Sequence, residues 1–156
     1  MKVGIFGSGV VARTLGSGFL AHGHPVMLGT RDVSKLQGWL ADNAGGKAGS
    51  VTQAADFGEI LVLAAKGAAA AAVLRAAGAD KLAGKVVIDS TNPLADAAPQ
   101  NGVLKFTTSL DDSLMEQLQR EFADARLVKA FNSVGSLLMV NSPALGRAAE
   151  HVHLRQ

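Results

Sequence analysis

The chain of 156 residues contains no cysteine, few aromatic residues and no long uninterrupted hydrophobic run. Without cysteine, disulfides, thiolate catalysis and cysteine-ligated metal sites are excluded. The longest apolar stretch, Ile60 to Leu74, is interrupted by Lys66 and is shorter than the ~18–20 residues that a membrane span needs. The net charge is only +2 and the basic residues form no run, which argues against a nucleic-acid surface. Because a strand-like run begins at residue 2, we expect no signal peptide, and a soluble, cytoplasmic protein.

The hydrophobic content of 48% is sufficient for a real core, and its richness in Ala and Gly suits closely packed helices and strands. Short apolar runs typical of buried strands alternate with segments of helical spacing. The predicted strands cover residues 2–6, 25–29, part of 44–50, 59–65, 85–90 and 125–131. This alternation predicts parallel βαβ units with right-handed crossovers. We therefore expect an α/β fold with a doubly wound parallel sheet, covered by helices on both faces. The strand order is expected to be 3-2-1-4-5-6, the usual order of such six-stranded sheets.

Helices are predicted between these strands, and several have recognisable start signals. The first follows Gly9 and extends to about His22, with Val10 among its inward residues. The second covers 32–43, begun by Asp32 or Ser34, and the fourth covers 68–77. Thr52 is the expected cap of a short third helix, 53–57. A capping box formed by Ser109 and Asp112 is expected to open the last helix, through Leu114 to Phe122.

A glycine turn, GSGVVA at residues 7–12, lies between the first strand and the first helix. Gly7, Gly9 and Ala12 have the G-x-G-x-x-A spacing of dinucleotide-binding turns. The first glycine makes the tight turn, the second lets a pyrophosphate approach the backbone, and the small third residue allows close helix–strand packing. The motif alone is also compatible with an ordinary turn. Its position predicts a Rossmann-type dinucleotide site, with backbone contacts to the phosphates from Ser8, Val10 and Val11.

In such a site, the residues that follow the second strand determine whether NAD or NADP binds. Here these residues are Thr30 and Arg31. An acidic residue at this position would bind the ribose of NAD and repel the 2′-phosphate of NADP. Thr30 can instead donate a hydroxyl hydrogen bond to that phosphate, Arg31 can pair with it, and Lys35 can add a second positive charge. The alternative is a polar loop with a helix cap, which explains Asp32 well. We favour NADP.

Three segments resemble the NADPH-dependent deazaflavin (coenzyme F-420) oxidoreductases and, in the turn and fold, the cytosolic domain of the STEAP metalloreductases. These segments are KVGIFGSGVVARTLGSGFLAHGHPVMLGTRD (2–32), VVIDSTNPL (86–94) and LVKAFNSVGSLLMVN (127–141). The resemblance implies hydride transfer between NADP(H) and a deazaflavin or flavin. It implies that the pyrophosphate lies on Gly7–Val10 and the 2′-phosphate on Thr30, Arg31 and Lys35. It also implies loops that border the nicotinamide, containing Ala64, Ala65, Asn92, Pro93, Ala130 and Asn132.

Family members usually continue with a helical region that closes the substrate side and takes part in dimerisation, whereas this chain ends with GRAAEHVHLRQ. We therefore expect an NADP-binding domain over residues 1–135 and a shortened C-terminal segment over 136–156. Either a partner subunit completes the acceptor side or the protein binds NADP without turnover, and we favour a homodimer. The apolar segment VGSLLMV (134–140) is either a core helix or the patch for such pairing.

No catalytic residue can be named, because hydride transfer to a flavin-like ring needs alignment more than acid–base chemistry. Lys66 can face the cofactor, although a lysine at such a position is more often simply solvated. The histidines at 22, 24, 151 and 153 are better interpreted as surface residues than as metal ligands. Two other functions stay open: a non-catalytic NADP-binding module or redox-sensing subunit, and a reductase of imines or ketones.

Overall fold

The computed structural model describes residues 1–141, in which six strands form one parallel sheet in the order β3-β2-β1-β4-β5-β6. This confirms the predicted doubly wound fold and its strand order. From β1 the chain adds β2 and β3 on one side, and the connection from β3 then returns to place β4 on the other side of β1. The order in which strands are added therefore reverses at β1. The strands are β1 (Val3–Phe6), β2 (Val26–Gly29), β3 (Lys47–Gly49), β4 (Ile60–Leu63), β5 (Val86–Asp89) and β6 (Arg126–Lys129).

Helices connect the strands, with short 3-10 segments at several starts. The α-helices are α1 (Val10–Ala21), α2 (Gln37–Asp42), α3 (Val51–Phe57), α4 (Ala70–Ala77), α5 (Ala79–Leu82) and α6 (Leu114–Glu121). The 3-10 helices are Val33–Leu36, Gly67–Ala69 and Ser136–Leu138. In the described part of the chain, no helix is long and apolar enough to cross a membrane.

Two apolar clusters cover the two faces of the sheet and make a three-layer structure. Because side chains alternate along a strand, Ile5 joins one cluster and its neighbour Phe6 the other, both fully buried. The cluster around Ile5 contains residues of α1 and Trp39 of α2. The cluster around Phe6 contains residues of α3, α4 and α6. The central strands are buried on both sides, as parallel strands between helices generally are.

Two helix starts differ from the sequence prediction. Ser50, not Thr52, caps α3 and forms a capping box with Gln53; the hydroxyl of Thr52 donates to the carbonyl of Ala76 instead. Ser113, not Ser109, caps α6. Each region contains several residues able to cap, and tertiary packing decides which one has extended backbone directly before the helix.

Asp32 caps its 3-10 helix as predicted, accepting a hydrogen bond from the backbone N–H of Ser34. Val10 corrects a prediction, because it is 63% exposed and does not point inward. The segment 134–140 forms a 3-10 helix followed by Met139 and Val140, which pack against the cluster that contains α1. The predicted boundary at 135 stays a prediction, and most of the segment 136–156 lies outside the described residues.

Candidate functional site

A cleft of about 450 Å³ opens at the carboxyl end of the central strands, where β1, β2 and β4 end. This is the edge of an open α/β sheet at which ligands generally bind. The cleft brings together many of the residues predicted from the sequence: Gly7, Ser8, Gly9, Val10, Val11, Thr30, Arg31, Ala64, Ala65 and Lys66. It is also lined by Gly29, Val51, Ala69, Val73 and Ser90, which the sequence analysis did not identify.

The glycine turn forms the floor of this cleft and can accept a pyrophosphate. Gly7 has φ +148°, and a Cβ there would lie 2.2 Å from the carbonyl oxygen of Ala64. Only glycine therefore fits this position without moving the backbone. Gly9 precedes α1 and caps it without any side-chain hydrogen bond. The first amide groups of α1 consequently have no protein side-chain cap, which is the usual arrangement of an anion site at a helix start.

The Thr30–Arg31 pair also lines this cleft, next to Ser8 of the glycine turn. The Thr30 hydroxyl donates to the Ser8 hydroxyl at 3.3 Å and accepts from the backbone N–H of Asp32 at 3.3 Å. Arg31 is exposed and forms no ion pair with any residue in the range 1–141. Two hydroxyls and a free guanidinium thus meet at the position where the 2′-phosphate of NADP is expected.

The Asp32 carboxylate is bonded to neighbouring residues of its own segment and is not available to the ribose of NAD. Its carboxylate accepts hydrogen bonds from the backbone N–H of Ser34 at 3.1 Å and from the Ser34 hydroxyl at 2.6 Å. These bonds, with a smaller contribution from the nearby Lys35 ammonium, hold the pKa of Asp32 below its usual value. The Lys35 ammonium lies 3.9 Å from this carboxylate and does not line the cleft. Asp32 therefore acts as a helix cap, and Lys35 lies beside Asp32 and outside the lining of the cleft.

A second cleft of about 360 Å³ adjoins the first and shares Val11, Ala65, Lys66 and Ser90 with it. Asn92 and Asp96 line its other side. The Lys66 ammonium bonds to the Asp96 carboxylate at 2.8 Å, and this bond holds the pKa of Asp96 below its usual value. Both side chains are largely exposed. The two clefts meet along the residues that they share, and Lys66 lies at this boundary.

The other predicted residues of this region, Pro93, Ala130 and Asn132, line neither cleft. Asn92 and Asn132 bond to each other: the Asn92 amide donates to the Asn132 carbonyl at 2.9 Å, and the Asn132 amide donates to the Asn92 side chain at 3.3 Å. Pro93 accepts from the backbone N–H of Thr107 at 2.7 Å. The N–H of Ala130 donates to the Asp89 carbonyl at 3.2 Å. These residues join the loops that follow β5 and β6.

A buried ion pair that was not predicted from the sequence joins the ends of β5 and β6. Asp89 is fully buried and accepts from the Lys129 ammonium at 2.8 Å. It also accepts from the N–H of Thr91 at 2.9 Å and from the Thr91 hydroxyl at 2.7 Å. Because Thr91 lies between Ser90 and Asn92, the network fixes the backbone that borders both clefts. The position of Asp89 and Lys129 at the ends of neighbouring strands was the available signal.

No group of three or more His, Asp or Glu side chains within residues 1–141 is arranged to hold a metal ion. The His22 ring lies 3.3 Å from the side-chain oxygen of Asn141, at the end of α1 remote from the glycine turn. His151 and His153 lie outside the described residues.

Comparison with known proteins agrees with this geometry. A family model for "NADP oxidoreductase coenzyme F420-dependent" matches residues 2–93, more than half of the chain. A solved structure of a proposed F420-dependent NADP-reductase from Arthrobacter sp. FB24 is 35% identical, with a TM-score of 0.86, and the match covers 96% of this chain and 69% of that one. A comparison with curated proteins finds no match.

More distant structures share the fold. Protein SMa0349 from Sinorhizobium meliloti is 21% identical, with a TM-score of 0.75 and coverage of 94% of this chain and 68% of that one. An imine reductase from Streptomyces aurantiacus is 20% identical, with a TM-score of 0.60, and the match covers 83% of this chain but only 40% of that one. At these identities the likeness concerns the fold alone.

Proposed function

Because the chain belongs to the family of coenzyme F420-dependent NADP oxidoreductases, we propose that it transfers hydride between NADP(H) and a deazaflavin or flavin-type acceptor. The observation that carries this proposal is the pair of adjoining clefts at the carboxyl end of the sheet. One cleft has the features of an NADP site. The other offers room for a second molecule next to it.

The residues present fit NADP(H). Gly7 and Gly9 leave the floor of the main cleft without side chains, so phosphates can approach the backbone. Thr30, Arg31 and the hydroxyl of Ser8 provide donors for the 2′-phosphate, and Lys35 adds a positive charge nearby. Asp32, the acidic residue that could favour NAD, is occupied by Ser34.

The acceptor is proposed to lie in the second cleft, against Ala65, Asn92 and the Lys66–Asp96 pair. When bound, NADPH supplies a hydride, which carries two electrons. The protein's part is to hold two planar rings in contact and to exclude water, which needs no catalytic acid or base. The Asn92–Asn132 pair and the Asp89–Lys129 pair hold the loops after β5 and β6 in place.

A homodimer is proposed from the exposed apolar residues that follow β6. Leu137 is 84% exposed and Val134 and Leu138 are each 40% exposed, so this segment presents an apolar surface. Light scattering over micromolar concentrations tests it. A dimer mass supports the proposal, and a monomer mass at every concentration excludes it.

The function is tested by following NADPH oxidation with a deazaflavin, a flavin and a ferric salt as acceptors in turn. We expect turnover with the deazaflavin or the flavin. The matched variant is Arg31→Ala, for which we expect a higher KM for NADPH and an unchanged KM for the acceptor. Tight NADPH binding without turnover with any acceptor would contradict the proposal and would favour a non-catalytic NADP-binding module.

A further inference from the structure

We propose that Arg13 is a positioning residue for NADP recognition, because it links α1 to the segment that carries the 2′-phosphate contacts. The inference rests on the proposed function of the main cleft. Arg13 does not line that cleft. Its position follows from the glycine turn, since its backbone N–H donates to the carbonyl of Gly9 at 3.1 Å and so closes the first turn of α1.

The guanidinium of Arg13 forms the link. Its Nη2 donates to the backbone carbonyl of Lys35 at 2.7 Å, across 22 residues of sequence. Lys35 belongs to the 3-10 helix Val33–Leu36, which begins directly after Asp32. The bond therefore connects the phosphate turn with the loop of Thr30 and Arg31. A hydrogen bond from a charged donor is roughly twice as strong as a neutral one.

A second link holds the far end of the same segment. The indole N–H of Trp39 lies 3.2 Å from the Arg13 carbonyl and 3.0 Å from the Ser17 hydroxyl. Trp39 is only 6% exposed and Leu36 is fully buried. Because these side chains anchor α2 independently, loss of the Arg13 side chain leaves the fold intact. It frees only the part of the segment nearest the phosphate contacts.

Arg13 also adds positive charge to the segment that carries the proposed phosphate contacts. Its guanidinium contacts the backbone of Lys35, whose ammonium lies beside Asp32, and Arg31 follows Thr30 in the same loop. Clustered positive charge favours a phosphate over the unmodified ribose of NAD. Loss of Arg13 should therefore affect NADPH and leave NADH almost unchanged.

The test is calorimetric titration of NADPH and NADH into the wild-type chain and into Arg13→Ala, Arg13→Lys and Arg75→Ala. Arg75→Ala is the matched control, because Arg75 pairs with Glu121 on the surface away from both clefts. For Arg13→Ala we expect NADPH affinity to fall about tenfold, the loss expected when one charged contact to the 2′-phosphate is misplaced. NADH affinity should change less than about twofold, because NADH lacks the 2′-phosphate. Arg13→Lys should restore most of the NADPH affinity, and the control should resemble the wild type.

The outcomes separate this inference from the proposed function. If the wild type prefers NADPH and Arg13→Ala keeps the same preference, Arg13 does not position the site and the inference is overturned. An equal loss of both cofactors, or a fall in melting temperature far beyond that of Arg75→Ala, would show a merely structural role and overturn it too. A wild type that does not prefer NADPH overturns the proposed function as well.

Discussion

Substitution of the two turn glycines by alanine should separate folding from cofactor binding. A Cβ on Gly7 would lie 2.2 Å from the carbonyl oxygen of Ala64, and its φ of +148° is strained for alanine. A Cβ on Gly9 would meet nothing within 4 Å, and the φ of Gly9 is −79°. Gly7→Ala must therefore move the backbone of the turn, whereas Gly9→Ala leaves the turn unchanged and places a methyl group in the cleft.

The magnitudes follow from these contacts. The overlap and the strain at Gly7 should cost about 2–4 kcal/mol in the free energy of unfolding. In a chain of this size that loss lowers the melting temperature by about 4–15 °C. At Gly9, a poorer helix cap is offset by lower entropy of the unfolded chain, so the change should stay within about 0.5 kcal/mol. The methyl group blocks backbone contacts with the pyrophosphate, and NADPH affinity should fall at least about tenfold.

Thermal unfolding and calorimetric titration with NADPH measure the two effects on the same preparations. Gly7→Ala should be destabilised and bind poorly, and Gly9→Ala should be as stable as the wild type and bind poorly. Wild-type affinity in Gly9→Ala would refute the placement of the pyrophosphate. Wild-type stability in Gly7→Ala would refute the account of the turn.

Three further predictions concern stability. Lys129→Met should lower the free energy of unfolding, measured with urea, by about 3 kcal/mol, because it leaves the buried Asp89 carboxylate without its cation. Adding Asp89→Asn to this variant should recover part of that loss. Additive losses from the two substitutions would contradict the pairing. Ser113→Ala should cost about 1 kcal/mol by removing the α6 cap, and no change would show that another residue caps the helix. The Arg120 guanidinium holds the pKa of Asp112 below 3.8, so the folded state binds the proton more weakly than the unfolded state. The stabilisation is present above that pH and is lost as the pH falls through the folded pKa; the stability advantage over Arg120→Ala should therefore shrink in acid, and a constant advantage would contradict it.

The sheet and the glycine turn could be predicted from the sequence because their signals are local. Short apolar runs mark the strands, and the spacing of Gly7 and Gly9 has a direct geometric meaning. The strand order was expected because a dinucleotide-binding turn after the first strand is typical of the Rossmann fold, whose order is 3-2-1-4-5-6. The polar loop after β2 was likewise interpreted from local residue types, and the structure places Thr30 and Arg31 in the main cleft.

The features that were missed depend on tertiary contacts. The Asp89–Lys129 pair joins residues 40 apart in the sequence, and the Arg13–Lys35 bond joins residues 22 apart. Val10 follows helical periodicity but lies at the first turn of α1, where it faces the cleft. The choice between Ser109 and Ser113 as a cap depends on the path of the preceding loop. Such contacts become visible only when the strands are placed side by side.

The central claim is that the main cleft binds NADP(H) through the glycine turn and the Thr30–Arg31 pair. The most direct measurement is calorimetric titration of the wild type and of Arg31→Ala with NADPH and with NADH. We expect NADPH to bind the wild type at least about tenfold more tightly than NADH, and Arg31→Ala to remove most of this difference by weakening NADPH alone. Equal affinities for the two cofactors, unchanged by Arg31→Ala, would contradict the account.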